Sequence, residues 1–365
     1  MKRLILHVGT HKTGTTAIQH ALFTDRDRLS IAGLLYDTKK PEGQRGPRSA
    51  HHWLAHALAR FDEDDQAALE AFRNRMLSAA AGTILISAEP FYRHVDLSSG
   101  ENPRDRVQFP AARQSYLDRV ARFFEPFKTE VSIYFRRPDR YIESLYKENS
   151  ASNQLSLDFE GYRASSPPCF LLQYQARLDE LRQRFGNVTV HCFEDACKKG
   201  LIDSFYADHG LPARPAGSPP EPRRGSVSLR AALWLVEVKR TQELSQRDRN
   251  RRWSFAISDA GASFFQSDQK EMFWKDDAER QEFVMRSVEG FAHASFWTLR
   301  PEKACAVQWT ATDQARADLA FEAWLDQNLT WMEAREAHGL LPYMLDMDMP
   351  QRAGVRQLLS RIFGR

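Results

Sequence analysis

Near the amino terminus, two glycines, a lysine and several hydroxyl residues stand together as G-T-H-K-T-G-T-T, Gly9 to Thr16. The apolar run Leu4 to Val8 before it reads as a buried strand. After it, Ala17, Ile18, Ala21 and Leu22 recur at helical spacing. A glycine turn between strand and helix can curl so that backbone N–H groups face inward, and the helix start adds positive potential. Such a turn is an anion cradle. It departs from the nucleoside-triphosphate loop G-x-x-x-x-G-K-[ST]. Gly9, Gly14 and Thr16 fit that pattern, but Thr15 occupies the lysine's place and the cation is Lys12. No Asp closes the apolar run Val131 to Phe135 either, so the usual magnesium-holding partner is missing. Both departures argue against metal-dependent phosphoryl transfer.

Several elements must position this loop. The spacing predicts a helix from about Gly14 to Leu29, and further strands at Gly33 to Tyr36, Thr83 to Ser87, Val131 to Phe135 and Val188 to Phe193. Helical patterns fall between them, at His51 to Phe61, Gln66 to Ala81, Ala111 to Phe127, Asp139 to Asn149 and Gln173 to Phe185. Asp139 suits an N-cap. Strands alternating with helices predict an α/β fold with a central parallel sheet flanked by helices. The Pro- and Gly-rich stretch 211–226 reads as a linker between a core, 1–210, and a C-terminal part, 227–365. Strand signals fade in that part, so it is expected to be a helical cover packed on the core. Phe321, Trp324, Leu325 and Trp331 recur there at helical spacing and read as core positions.

Composition narrows the partners. A net charge of +3 argues against a general nucleic-acid coat while allowing a local anion site. The four cysteines form no C-x-x-C pair and no zinc-like spacing, which fits a reduced compartment. Met1 to Val8 is too short for a signal peptide, and no apolar run is long enough to span a membrane. A cytoplasmic protein is expected.

At the loop, the residues resemble a known family. Lys12 with Thr13, Gly14, Thr15 and Thr16 is similar to the 5′-phosphosulfate motif of sulfotransferases that use 3′-phosphoadenosine 5′-phosphosulfate (PAPS). A second stretch, R-R-P-D-R-Y-I-E-S from Arg136 to Ser144, resembles that family's 3′-phosphate motif. Arg136 stands at a strand end, Pro138 two residues on and Ser144 eight residues on. The chemistry suits the pattern, because an arginine can fork two hydrogen bonds onto a phosphate. Arg223-Arg224-Gly225 faintly resembles a third element of the family. The likeness covers about residues 1–210, including L-R-Q-R-F-G-N-V at 181–188, and is greatest to the bacterial branch that opens with H-K-T-G-T-T. From about residue 245 onward nothing specific matches.

The resemblance implies a P-loop-like three-layer fold and sulfuryl transfer from PAPS. Lys12 would steady the bridging oxygen, and the segment Gly9, Thr10, His11, Lys12, Thr13, Gly14, Thr15 and Thr16 would cradle the phosphosulfate. Arg136 and Ser144 would hold the 3′-phosphate. Transfer to a hydroxyl needs a proton acceptor. Glu89, just past the strand Thr83 to Ser87, is one candidate; His51 and His52 are the others. The paired histidines have no carboxylate or Cys at ligand spacing, so no metal is expected. Arg247, Arg249, Arg251 and Arg252 form a basic run that is either a solvated face or a dock for an anionic acceptor. The acceptor implied by the family is a carbohydrate or glycolipid bearing a hydroxyl, with an amine also possible. A P-loop nucleotide kinase and a non-catalytic nucleotide-binding module are the alternatives.

Overall fold

A computed structural model describes residues 1–42, 46–99, 108–152, 155–165, 168–215 and 227–337. Five parallel strands form the central sheet: β1 (Arg3–His7), β2 (Leu34–Leu35), β3 (Thr83–Ser87), β4 (Lys128–Phe135) and β5 (Val188–Cys192). Parallel sheets are covered on both faces, so their inner strands are apolar throughout rather than alternating. Leu4, Ile5 and Leu6 of β1 are accordingly all fully buried. On one face, Ile5, Leu85 and Tyr134 pack with Ile18, Leu22 and Phe205. On the other, the Phe135 ring meets Tyr92 and Tyr174. Helices therefore lie on both sides, and the expected three-layer α/β architecture is observed.

The strand order is β2-β3-β1-β4-β5. From β1 the chain runs to the edge strand β2, returns to β3 beside β1, then crosses β1 to reach β4 and continues outward to β5. That reversal makes β1/β4 a topological switch point, the place beyond the strand carboxyl ends where open α/β sheets bind ligands. His7 is in register with Ser87 on one side and Ser132 on the other. The loop after β1 thus emerges between the ends of β3 and β4.

Two compact units divide the chain: Met1–Glu221 with Ser267–Gln308, and Pro222–Gln266 with Trp309–Arg365. The sequence reading placed all of 227–365 in one helical part. Instead, 267–308 belongs with the sheet, and it carries a small parallel pair, β6 (Glu271–Met272) and β7 (Cys305–Ala306). Strands of two residues leave no periodicity to detect. The linker expected at 211–226 lies mostly outside the described residues, as does Arg223-Arg224-Gly225.

In the second unit the helices Leu229–Thr241, Gln246–Ile257 and Ala311–Ala337 enclose Trp234, Phe255 and Phe321. Trp324 and Leu325, expected in the core, are half-buried. The basic run is largely engaged inside this unit. Arg247 and Arg251 pair with Glu336 at 2.6 and 2.7 Å, Arg249 caps the Leu244 carbonyl at 2.5 Å, and Arg252 lies over the Phe321 ring.

Asp139 departs from its expected role. Pro138 takes the first helical position of Pro138–Ser152, as its fixed φ favours, so Asp139 falls inside the first turn rather than capping it. Its fully buried carboxylate is forked by Arg137 at 2.7 and 2.8 Å and bonded by the buried Arg280 at 2.7 Å. Glu302 also accepts from Arg137 at 3.0 Å and Arg140 at 2.6 Å. Burial alone would raise the Asp139 pKa, but the two arginines hold it below the ordinary value. A depressed carboxylate pKa contributes stability above the unfolded value, about 3.9, and loses it as pH falls through the folded value. Asp139→Asn is expected to cost about 3–5 kcal/mol in urea unfolding at pH 7, because the fully buried Arg280 loses a carboxylate partner and Arg137 loses its forked one. The gap to wild type should narrow as the pH falls below about 4.

Candidate functional site

The loop after β1 is held from both sides. Gly9, Lys12 and Gly14 take positive φ, at 55°, 63° and 67°. For Gly9 the freedom is required twice: a Cβ there would fall 2.6 Å from Thr15 Cγ2 and 3.3 Å from Glu89 Cγ. Lys12 is no glycine, and the left-handed region costs such a residue roughly 1–2 kcal/mol. Arg136 Nη1 donates to the Lys12 carbonyl at 2.9 Å and offsets that strain. In this conformation the backbone N–H groups from His11 to Thr16 find no acceptor among the described residues. They form a row of donors at the start of the helix Thr15–Thr24, which is the cradle an anion needs.

The hydroxyls of the loop are used differently from expectation. Thr10 Oγ1 donates to the Tyr134 carbonyl at 3.2 Å and Thr13 Oγ1 to the Thr10 carbonyl at 2.6 Å. Thr15 Oγ1 donates to Glu89 Oε1. These three hydroxyls brace the loop rather than point to a ligand. Thr16, half-buried, makes no such bond among the described residues.

On the β4 side, Arg136 follows the strand end and lies over the Phe193 ring, 5.4 Å from its centroid. Its carbonyl accepts from Tyr174 Oη at 2.8 Å. Its Nε and Nη2 have no acceptor among the described residues, so one edge of the fork is open. Burial lowers its pKa while Glu194 opposes the shift. Ser144 is buried on the helix Pro138–Ser152, one turn before Lys147. Burial lowers the Lys147 pKa, Glu143 counters this, and the positive charges of Arg136 and Lys12 lower it further. Lys147 is a further cation on the helix that carries Ser144, three residues on. The sequence reading missed it, although its spacing from Ser144 placed it on the same helix face. Lys12 Nζ stands 3.7 Å from Glu148 on that helix, with both side chains partly exposed.

On the β3 side, Glu89 is buried at the start of the short helix Pro90–Arg93. Oε2 accepts from Gln19 Nε2 at 3.2 Å and from His52 Nε2. Burial alone would raise its pKa. The charge and hydrogen bond of His52, the charge of His11 and the Thr15 hydroxyl together hold it well below the usual carboxylate range. Glu89, one of the candidate bases, is thus held as a carboxylate with Oε1 bonded by Thr15 and Oε2 by Gln19 and His52.

The paired histidines separate. His51 is fully buried; its Nδ1 accepts from the Ser87 N–H at 3.2 Å and its Nε2 donates to the Asp37 carbonyl at 3.0 Å. Both ring nitrogens are occupied, and burial pushes the pKa down to about 4. His51 is a strut between the end of β3 and residue 37, with no nitrogen left for a substrate. His52 is 21% exposed, and with Nε2 bonded to Glu89 its Nδ1 stays available. His11 is half-buried, and burial followed by the charge of Arg93 lowers its pKa well below the usual value.

No family model matches the chain, and no curated protein matches it. Among solved structures, a sulfotransferase from Alicyclobacillus acidocaldarius is similar at 16% identity and a TM-score of 0.36, covering 67% of this chain and 98% of that one. A likeness of that size carries no argument about family or chemistry.

The sequence-derived candidates Gly9 to Thr16, Arg136, Glu89 and His52 meet around the ends of β1, β3 and β4, with Ser144 on the adjoining helix. His51 stands behind them. No group of three or more His, Cys, Asp or Glu side chains among the described residues is placed to hold a metal ion. Gly9→Ala should cost about 1–3 kcal/mol in chemical unfolding, since the new methyl meets Thr15 at a positive φ. A stability equal to wild type would show that the loop relaxes freely.

Proposed function

We propose that the chain transfers a sulfuryl group from PAPS to a hydroxyl, or an amine, of an acceptor. One observation carries this reading: the two anion-binding motifs join directly, Arg136 Nη1 to the Lys12 carbonyl at 2.9 Å, at the switch point of the sheet. A nucleotide with anionic groups at both its 5′ and 3′ positions needs two positive grips side by side. A single phosphate would need only one.

In this reading the N–H groups of His11 to Thr16 hold the 5′-phosphosulfate. The open edge of Arg136, with Ser144, takes the 3′-phosphate. The acceptor oxygen attacks sulfur from the side opposite the nucleotide. As the new S–O bond forms, the bond from sulfur to the bridging oxygen breaks and its electron pair leaves with 3′-phosphoadenosine 5′-phosphate (PAP). The Lys12 ammonium steadies the charge that grows there. In the neutral ring, with its proton on Nε2 toward Glu89, His52 Nδ1 takes the acceptor's proton. Glu89 holds the opposite ring nitrogen and balances the imidazolium, as a buried carboxylate does in an acid–His–nucleophile triad. Glu89 is then a positioning residue. A carbohydrate or glycolipid acceptor, and a cytoplasmic setting, go with the family resemblance; no described helix is long and apolar enough to cross a membrane.

Three variants test the assignment in a sulfuryl-transfer assay paired with PAP calorimetry. Lys12→Ala should lower kcat by about 10²–10³ while PAP affinity changes less. A wild-type rate would remove Lys12 from the chemistry. His52→Ala should lower kcat by about 10²–10⁴. Arg136→Ala should weaken PAP far more than adenosine 5′-phosphosulfate, which lacks the 3′-phosphate. Equal losses for both ligands would refute the 3′-phosphate role.

A further inference from the structure

On the turn that follows Glu89, the carboxylate bonded to the candidate base, stands a cation that the mechanism above does not use. Arg93 ends the short helix that begins after Glu89. It is exposed, and among the described residues it makes no hydrogen bond or ion pair. Its position is fixed nonetheless. The buried Arg113 donates to the carbonyls on either side of it, Phe91 at 2.9 Å and His94 at 2.6 Å. Arg93 therefore rides on a pinned turn rather than a loose loop.

The neighbours of that turn lead back to the site. His94 Nε2 meets His56 Nδ1 at 2.6 Å, and the His56 ring stands edge-on to His52, which bonds Glu89. His52 and His56 share one face of the helix His52–Arg60, four residues apart. Burial, then neighbouring positive charge that includes Arg93, pushes His56 down to about 4 and His94 well below its usual value. Both rings are thus neutral near pH 7 and can donate and accept hydrogen bonds. The charge of Arg93 also reaches His11, next to Lys12 in the loop. Glu89 is already bonded by Thr15, Gln19 and His52, and Glu148 stands 3.7 Å from Lys12. The turn that follows Glu89 therefore presents one guanidinium without a carboxylate partner among the described residues, next in sequence to the first of two neutral, mutually bonded imidazoles.

We propose that the acceptor is anionic: it carries a carboxylate or ester sulfate close to the hydroxyl that is modified, and Arg93 binds that group. This rests on the sulfuryl-transfer reading and adds the class of acceptor to it. Arg93 is a specificity-determining residue here, and the bidentate geometry of its fork suits either anion. Arg113 positions it.

The test compares matched saccharides, a glucuronide with the corresponding glucoside and a sulfated with an unsulfated galactoside, as acceptors for sulfuryl transfer from PAPS. Wild type should favour the anionic member of at least one pair by about ten- to a hundredfold in kcat/KM, the range of a charge-assisted hydrogen bond. The pair that shows it names the anion. Arg93→Gln should bring that ratio close to one, and Arg93→Lys should restore part of it. PAP affinity serves as the folding control. No preference in wild type, or a preference that survives in Arg93→Gln, overturns the proposal. If no saccharide turns over, titrating glucuronate and glucose into the PAP-bound protein reads the same contrast, and equal affinities overturn it. PAP binding with no anion preference would sink this inference alone. Absence of PAP binding would sink the transfer reading and this inference with it.

Discussion

The hydrogen bond from Arg136 to the Lys12 carbonyl is the constraint on which the rest of the site depends. A loop that presents consecutive N–H groups to one side must turn carbonyls to the other, and a buried carbonyl needs a donor. Arg136 supplies that donor at 2.9 Å. Without it, Lys12 would have little reason to remain at φ 63°, and the row of donors would lose its direction. A guanidinium has five N–H donors, so bonding one carbonyl leaves others for a ligand. One side chain thus shapes the first grip and furnishes the second.

Topology explains why a residue 124 positions away can do this. β1 sits between β3 and β4, so whatever follows β1 must lie between the ends of both neighbours. From β4 comes a cation that takes a carbonyl; from β3 comes a carboxylate that takes the Thr15 hydroxyl and Gln19 amide. The loop is clamped by opposite charges on opposite flanks. A buried carboxylate is costly unless its oxygens are well bonded. Glu89 meets that requirement with donors from the loop, the following helix and His52, which is why it cannot readily gain a proton.

The core of the fold was legible because it is local. β3 matches its expected bounds, and β1 and β5 fall within one residue of theirs at each end, since short β-prone runs bounded by glycine or helical patterns carry their own signal. The loop was legible for the same reason. What remained hidden depends on distant partners. Asp139 looked like a cap because nothing near it in sequence announced Arg280, 141 residues on. The basic run at 247–252 read as a solvated face or a dock for an anion because Glu336 lies more than eighty residues beyond it. The predicted helix through Leu29 breaks after Thr24, where Asp25 binds Arg28 and Tyr206, and Tyr206 is again remote. The threonines of the loop were assigned to a ligand by type, whereas most serve as braces toward neighbours that only the fold brings near.

The adjacent histidines give the sharpest case. His51 precedes the helix His52–Arg60 and His52 opens it, so the two side chains leave the backbone in different directions. One enters the interior between Ser87 and residue 37, where backbone groups occupy both its nitrogens. The other reaches the Glu89 carboxylate with one nitrogen and stays 21% exposed. No property of either residue alone separates them. The separation follows from where β3 ends: Ser87 is its last residue and Glu89 stands two residues further, so the strand end that anchors His51 also delivers the carboxylate that orients His52. A strut and a candidate base can therefore occupy successive positions, and moving either would misplace the other.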